Sequence, residues 1–257
     1  MTGVVTKAAK SPLPAITAAL LAVGLVTEVA AGEDSARLLF GMEAAYAKVS
    51  DYTALFARQE VIEGRLRPAE EALLKYRRPR SIYLRWVAGP GTGREILFVE
   101  GRDGGRILLH HPGLLSGLVT AVLAPDSPRV LRESRHPITD VGIGRLIELI
   151  AANARRALGR NELAVADAGV VEARGRREHR LELTLPRDPA KGYYCYRAIV
   201  AIDLEWNLPV AARIFDWSDR MVEDYRYREV QLNPGLSPLD FDPANPEYRF
   251  PRWRVNL

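Results

Sequence analysis

Cysteine, histidine and methionine are scarce in this 257-residue chain, which has one cysteine, four histidines and three methionines. The single Cys195 excludes an intrachain disulfide, and its tyrosine-rich setting is typical of a small apolar strand residue. The adjacent His110 and His111 offer no shared metal site, because neighbouring side chains on a strand point to opposite faces. The sequence therefore predicts no metal and no other cofactor.

The chain also lacks a dense stripe of positive charge. Its formal net charge is +4, and arginines alternate with acidic residues in segments such as 174–180. Alternating charges are typical of solvated strands and loops, and the mild basicity argues against nucleic acid as a partner.

Catalytic motifs are missing as well. The sequence contains no Gly-x-Ser-x-Gly elbow, no His-Glu-x-x-His pair, no Walker loop and no dinucleotide-binding glycine motif. The remaining titratable candidates are predicted to lie at the surface or at solvated strand edges: His136, His179, Glu70, Glu71, Glu223 and Asp224. We therefore expect a protein that is not an enzyme.

The N-terminus has the features of a leader. Lys7 and Lys10 precede an apolar run over 13–26, and small residues occupy 29–31. This combination predicts a secretory signal peptide at 1–31, cleaved after Ala31, and an exported single domain over 32–257. The run is shorter than the roughly 20 residues that span a bilayer. An uncleaved N-terminal membrane anchor is the alternative.

Helical spacing is found in two segments. Apolar residues recur every three to four positions over 35–49, and again from Ile143 through Leu146 and Ile150 to a stop at Gly159. Both segments are predicted to be amphipathic helices. The apolar, glycine-containing segment 113–123 is predicted to be a helix or a mobile flap.

Most of the remaining sequence alternates with a period of two. Strands are predicted at 52–63, 72–76, 82–87, 95–100, 106–110, 163–172, 179–185, 193–203, 209–215 and 222–232. Short glycine-rich turns such as 101–105 favour antiparallel neighbours. We expect an α+β fold in which about nine to eleven strands form one strongly curved, unclosed sheet and the helices cover its concave face. A loose cover would leave a hydrophobic cavity, whereas a well-filled core would give the same pattern. A proline-rich tail, extended along the body, ends the domain.

In order and spacing, these segments resemble the LolA/LolB-like superfamily of periplasmic lipoprotein carriers, and more closely a bacterial branch known as a domain of unknown function. Residues 49–60 are similar to the family's first strand after its N-terminal helix. Residues 74–86 are similar to its signature of basic residues and a proline, here Pro79, leading into an aromatic strand. The later strands and the tail are matched by 95–101, 201–209, 222–230 and 240–242.

The resemblance implies a periplasmic half-barrel with a helical lid and a cavity for acyl chains. Its candidate lining residues are Phe56, Ile82, Leu84, Trp86, Leu97, Leu146 and Ile150. In the carriers, an arginine before the proline bonds to the lid backbone and holds the empty form shut. Arg78 matches that position, and a surface role at a strand edge is the alternative.

The leading functional hypothesis is a periplasmic carrier that binds a lipid or lipoprotein acyl chain and exchanges it with a membrane-protein donor or acceptor. Burial of hydrocarbon contributes about 0.8 kcal/mol per methylene, so affinity does not require catalysis. The second hypothesis is an envelope-stress sensor or adaptor of the same fold that binds a membrane protein. The third is an envelope enzyme whose site leaves no motif.

Overall fold

The computed structural model describes residues 33–257, and the predicted signal peptide lies outside this range. The helices are α1 (Glu33–Tyr46), α2 (Pro128–Leu131) and α3 (Ile143–Leu158). The strands are β1 (Asp51–Ile62), β2 (Arg65–Leu66), β3 (Glu70–Arg77), β4 (Ser81–Ala88), β5 (Glu95–Val99), β6 (Ile107–His110), β7 (Thr120–Leu123), β8 (Ala164–Ala173), β9 (Arg176–Thr184), β10 (Arg197–Asp203), β11 (Leu208–Phe215), β12 (Met221–Leu232) and β13 (Arg254–Asn256). Within 33–257, no helix is both long enough and apolar enough to cross a membrane.

One sheet contains all the strands. Their order is β13-β7-β6-β5-β4-β3-β1-β12-β11-β10-β9-β8, and β2 pairs with β1. Central pairs such as β1 with β12 are antiparallel, whereas β13 runs parallel to β7. The two outer strands, β13 and β8, do not pair with each other, so the sheet is unclosed. The predicted α+β fold with a curved, open sheet is confirmed, and the additional strands are the short β2, β7 and β13.

The segment 113–123 differs from its prediction. After one 3-10 turn at Leu114–Gly117, Thr120–Leu123 form β7 and pair with β6. All four residues of β7 are buried, so this strand shows no alternation between apolar and polar residues. A short apolar run that is buried on both faces cannot be distinguished from a buried helix by periodicity.

The two long helices pack on the concave face of the sheet and against each other. Leu39 and Met42 of α1 and Ile143 and Ile147 of α3 are buried there in one apolar cluster. The close approach of α3 to the end of α1 requires a glycine, because a Cβ at Gly144 would collide with the ring of Tyr46. The helices therefore form a tight cover at this end of the sheet.

The opposite face of β4 to β7 is covered by the tail that follows β12. Tyr83, Leu97 and Leu108 pack there against Phe241, and the ring of Tyr83 stacks on Tyr248 with centroids 3.8 Å apart. The proline-rich tail thus lies along the body, and these strands are buried on both faces.

Candidate functional site

An apolar cavity of about 90 Å³ lies between α3 and the concave face of the sheet. Its apolar lining comes from α3 and from the strands beneath it: Leu146, Leu149, Ile150, Ala154, Phe56, Leu183, Leu185, Ala198 and Ile214. Leu146 and Leu149 remain partly exposed although they line the interior. The concave face is therefore largely filled, with a residual space beneath α3.

The cavity is small for a lipid. For comparison, an engineered apolar cavity of about 150 Å³ binds a single benzene molecule. A hydrocarbon chain therefore enters only if α3 moves away from the sheet. The contacts that hold α3 decide how much that movement costs.

The N-terminal end of α3 is held by buried tyrosines. The hydroxyl of Tyr52 accepts a hydrogen bond from the backbone N–H of Ile143 at 2.9 Å, and that of Tyr227 accepts one from Gly142 at 3.2 Å. These bonds satisfy N–H groups that a helix start leaves without an intrahelical partner. Breaking them would leave buried donors unpaired, so this end of α3 is the fixed end.

Beyond Ile150, the C-terminal half of α3 buries only small alanine side chains, and Asn153 accepts a hydrogen bond from the backbone N–H of Tyr194 at 3.0 Å. Its remaining polar contacts with other elements are exposed. Arg155 forms an exposed ion pair with Glu43 of α1, and Arg156 donates to the carbonyl oxygen of Gly192 at 2.8 Å. Exposed ion pairs contribute about 0–1 kcal/mol each. The C-terminal half of α3 is therefore the end that separates from the sheet at lower cost.

Polar side chains replace apolar ones toward one end of the cavity. On β1, Phe56 is followed on the same face by Arg58 and then by Glu60. Their partners on the adjacent β12 are Tyr227, Tyr225 and Glu223. Two neighbouring strands thus form a gradient from apolar to charged along the cavity floor.

Glu223 is the centre of the polar end, and its side chain is 2% exposed. It accepts hydrogen bonds from Arg135 Nε at 2.8 Å, His136 Nε2 at 3.1 Å and the hydroxyl of Tyr194 at 2.7 Å. Burial raises the pKa of the Glu223 carboxyl, but the bonds from His136, Tyr194 and Arg135 outweigh it and lower that pKa. Burial lowers the pKa of His136, but the hydrogen bond that His136 donates to Glu223 outweighs burial and raises that pKa.

Further polar contacts attach the segment before α3 to the sheet. Glu60 accepts a hydrogen bond from Tyr225 at 2.5 Å and one from the backbone N–H of Arg135 at 3.3 Å. Arg58 donates to Glu70 at 2.8 Å and to the hydroxyl of Ser134 at 3.0 Å. This network lines one end of the cavity with charged groups that are largely paired with one another.

The prediction that His136, Glu70 and Glu223 are surface or strand-edge residues was wrong. Their side chains are 27%, 13% and 2% exposed, and all three take part in the buried network. One signal was available in the sequence. Glu60 lies on the core-facing side of its alternating strand, where an unpaired charge is costly and a buried partner is therefore required.

Two potential nucleophiles beside Glu223, the Cys195 thiol and the Tyr194 hydroxyl, are held in their protonated forms. Cys195 lines the cavity, and burial raises the pKa of its thiol to about 12, so the thiol stays protonated at neutral pH. Burial and the neighbouring Glu223 raise the pKa of Tyr194 well above its ordinary range. Both oxygens of Glu223 already accept hydrogen bonds. Within residues 33–257, no three His, Cys, Asp or Glu side chains lie close enough together to hold a metal ion.

The predicted cavity residues fall into different places on the concave face. Phe56, Leu146 and Ile150 line the cavity beneath α3. Trp86 lines a neighbouring pocket of about 70 Å³ under Ser134. Ile82 and Leu84 are buried in the solid part of the core and line neither space.

Leu97 is on the other face of the sheet, so its placement in the cavity was wrong. It pairs with Tyr83 across β4 and β5, and both pack under the tail against Phe241. Directly paired residues share a face. The concave positions of β5 are instead Ile96, which pairs with Leu84, and Phe98.

Arg78 contacts the end of α1. Its Nη1 lies 3.3 Å from the carbonyl oxygens of both Ala47 and Val49, and its guanidinium lies 5.7 Å from the ring centroid of Tyr46. The contact is with backbone just beyond a helix, as the resemblance implies, but the helix is α1 and not the α3 that covers the cavity. The gating role of Arg78 stays a prediction.

These features define an unclosed β half-barrel whose helices cover an apolar cavity with one charged end. Residues 49–250 match the family described as Protein of unknown function (DUF1571), and the chain belongs to that family. The prediction that the chain belongs to a domain-of-unknown-function family is thereby confirmed. No curated protein matches the sequence.

Several solved structures are similar to the chain. MucB has 14% identity and a TM-score of 0.47, with 82% of this chain and 63% of MucB covered, so the chain spans less than two thirds of that protein. A structure of MucB with MucA is known from Pseudomonas aeruginosa. The lipoprotein LppX of Mycobacterium tuberculosis has 15% identity and a TM-score of 0.47, with 80% and 99% covered. A LolA superfamily protein from Nitrosomonas europaea has 10% identity and a TM-score of 0.34, with 80% and 96% covered.

Proposed function

We propose that this protein is a non-enzymatic carrier that holds the acyl chain of a lipid or lipoprotein between α3 and the sheet. The observation that supports the proposal is the apolar cavity beneath α3, which has unfilled volume, partly exposed leucines and a charged end. A solid core would have neither unfilled space nor partly exposed leucines beside that space. The predicted leader over 1–31 supports a periplasmic location for the carrier.

Energetics favour an expandable space over a large permanent one. An empty apolar cavity costs stability roughly in proportion to its volume, about 24 cal/mol per Å³ in core truncations. A lid that closes when empty avoids that cost, and each buried methylene then contributes about 0.8 kcal/mol when the ligand enters. The N-terminal end of α3 is fixed and its C-terminal half is weakly held, so α3 can open as a lid that pivots about its N-terminal end.

Acyl binding can be tested with a matched pair of variants on α3. Ala154 is buried and lines the cavity, whereas Ala152, two residues earlier, is exposed. Delipidated protein is titrated with a fluorescent fatty acid such as cis-parinaric acid. Ala154→Leu fills the space and should weaken binding by about tenfold or more, since three added carbons displace ligand methylenes. Ala152→Leu should leave the affinity unchanged.

Cys195 supplies a second readout, because it is the single cysteine of the sequence and lines the cavity. Its reaction with a maleimide reports how often α3 opens, and saturating palmitate should slow that reaction. If palmitate has no effect and neither alanine variant changes probe binding, the carrier proposal is wrong. Capture of a membrane protein by lipid-free protein, with no acyl binding, would favour the adaptor hypothesis instead.

A further inference from the structure

A second, polar cleft opens next to the apolar cavity. Its volume is about 320 Å³, and it lies between the start of β3, the loop before β5 and the segment after α2. Its charged lining is Arg58, Arg67, Arg94, Arg132, Glu70 and Glu133, with Glu60 at the inner end. None of the predicted cavity residues lines it.

The cleft continues the polar end of the apolar cavity. Arg58 and Glu60 line both spaces, and Arg58 also lines the smaller pocket beside Trp86. The three spaces therefore meet at Arg58, on the charged side of the gradient along β1. A molecule with its hydrocarbon beneath α3 would have its polar end at this junction.

Two of the arginines in the cleft are already paired. Arg58 donates to Glu70 at 2.8 Å, and Arg94 forms ion pairs with Glu70 and Glu133. Arg94 is 6% exposed and lies over the ring of Trp86, with its guanidinium 4.0 Å from the ring centroid. Its Nε–H finds no acceptor among the residues that the structure describes.

The other two arginines are free to bind a ligand. Arg67, between β2 and β3, and Arg132, directly after α2, are exposed. Within 33–257, neither side chain forms an ion pair or a hydrogen bond. The cleft thus holds four arginines against three glutamates, and the glutamates are occupied by Arg58, Arg94 and Tyr225. The positive charge that remains unpaired comes from Arg67 and Arg132.

We infer that this cleft binds the phosphate head group of an amphiphile whose acyl chain lies beneath α3. Guanidinium groups match phosphate oxygens in geometry and charge, and they stay charged at every relevant pH. A choline or amine head group would instead meet unpaired positive charge, which disfavours zwitterionic lipids. The inference rests on the proposed acyl carrier and assigns it a ligand class, lipids whose phosphate head group is anionic and carries no cationic group.

The test measures by calorimetry the binding affinity of the protein for three ligands: dihexanoyl phosphatidic acid, dihexanoyl phosphatidylcholine and inorganic phosphate. Wild-type protein should prefer phosphatidic acid over phosphatidylcholine by about tenfold or more, and added salt should reduce that preference. The double variant Arg67→Gln with Arg132→Gln should remove most of the preference while leaving phosphatidylcholine binding within about twofold. Both residues are exposed, so the variant should fold as wild type does.

Arg177→Gln is the matched control. Arg177 is an exposed arginine of β9, remote from the cleft, and its loss changes the net charge in the same direction. If the control weakens phosphatidic acid binding as much as the double variant does, the effect is one of general charge and the inference is overturned. If the double variant no longer binds either lipid, the inference is also overturned, because the arginines would then support the fold and not head-group selection.

The remaining outcomes separate this inference from the proposed function. If wild-type protein binds both lipids equally well, the carrier proposal stands and the phosphate inference is wrong. If inorganic phosphate binds through Arg67 and Arg132 while neither lipid binds, the cleft is a site for free phosphate, and the lipid assignment is wrong.

Discussion

Each face of the sheet has a buried region, and the two regions are packed in different ways. On the tail side, Tyr83 stacks on Tyr248 and Leu97 packs against Phe241, and none of these residues lines any of the spaces described above. On the helix side, α3 leaves an apolar space and a charged network at one end of it. The tail face has the packing of a structural core, whereas the helix face has the features of a binding surface.

The difference follows from the covering elements. The extended tail places single side chains into the pleats of β4 to β6, so each gap can be filled separately. A straight helix such as α3 touches a curved sheet along a line, and space remains beside it. The two faces can be distinguished experimentally because loss of packing should change stability on one face and binding on the other.

The largest effect is expected under the tail. Phe241 is 1% exposed, and Phe241→Ala should lower the free energy of unfolding by about 3–5 kcal/mol through the cavity that it leaves. Denaturant titration measures this loss. Fatty-acid affinity of the folded fraction should not change, and the exposed Leu239→Ala in the same tail serves as the control. If Phe241→Ala also lost acyl binding, the assignment of stability to the tail face and of binding to the helix face would be wrong.

The next effect is expected at the charged end of the cavity. Glu223→Ala leaves Arg135 and His136 without their shared carboxylate and should cost about 2–4 kcal/mol of unfolding free energy. Asp224→Ala is the neighbouring control, because Asp224 pairs with an Arg213 side chain that is 52% exposed. That variant should lose at most about 1 kcal/mol. Equal losses of unfolding free energy at the two positions would show that the Glu223 network stabilises the fold no more than an exposed ion pair does.

A pH dependence should accompany the His136–Glu223 bond. The pKa of folded His136 is raised, so its stabilising contribution is complete below the unfolded value of about 6.5 and is lost as pH rises through the folded value. Wild type should therefore exceed His136→Gln in unfolding free energy by about 1–2 kcal/mol at about pH 6, and by less at about pH 9. A difference that stays constant or grows with pH would contradict this assignment.

The smallest effect is expected at Arg78. Its contacts with Ala47 and Val49 are long, so Arg78→Gln should cost about 1 kcal/mol or less. If Arg78 holds the empty form shut, the same change should speed the reaction of Cys195 with maleimide. The nearby exposed Arg80→Gln should not do so. Equal labelling rates for the two variants would remove the gating role.

The local elements of the fold could be predicted from the sequence, but the charged network could not. Helical spacing and Gly159 predicted the C-terminal end of α3 to within one residue. The alternation of apolar and polar residues predicted β1. The resemblance to the lipoprotein carriers indicated Phe56, Leu146 and Ile150 as lining residues, and all three line the space beneath α3.

The network depends on long-range pairing, which local patterns do not contain. Glu60 and Glu223 become neighbours because β1 pairs with β12, at opposite ends of the described chain. Leu97 was misplaced for a related reason, since the face of β5 is decided by its register with β4. Whether the space under α3 is filled depends on side-chain volumes across several elements, and periodicity carries no information about it.

The short strand β13 covers one edge of the sheet. β7 is buried along its whole length, and its free backbone edge would be a ready template for a strand of another molecule. β13 occupies that edge with three residues, beginning at the exposed Arg254, and is too short and too polar to recruit a strand itself. Removal of residues 254–256 would therefore uncover the buried edge of β7 for pairing with another strand.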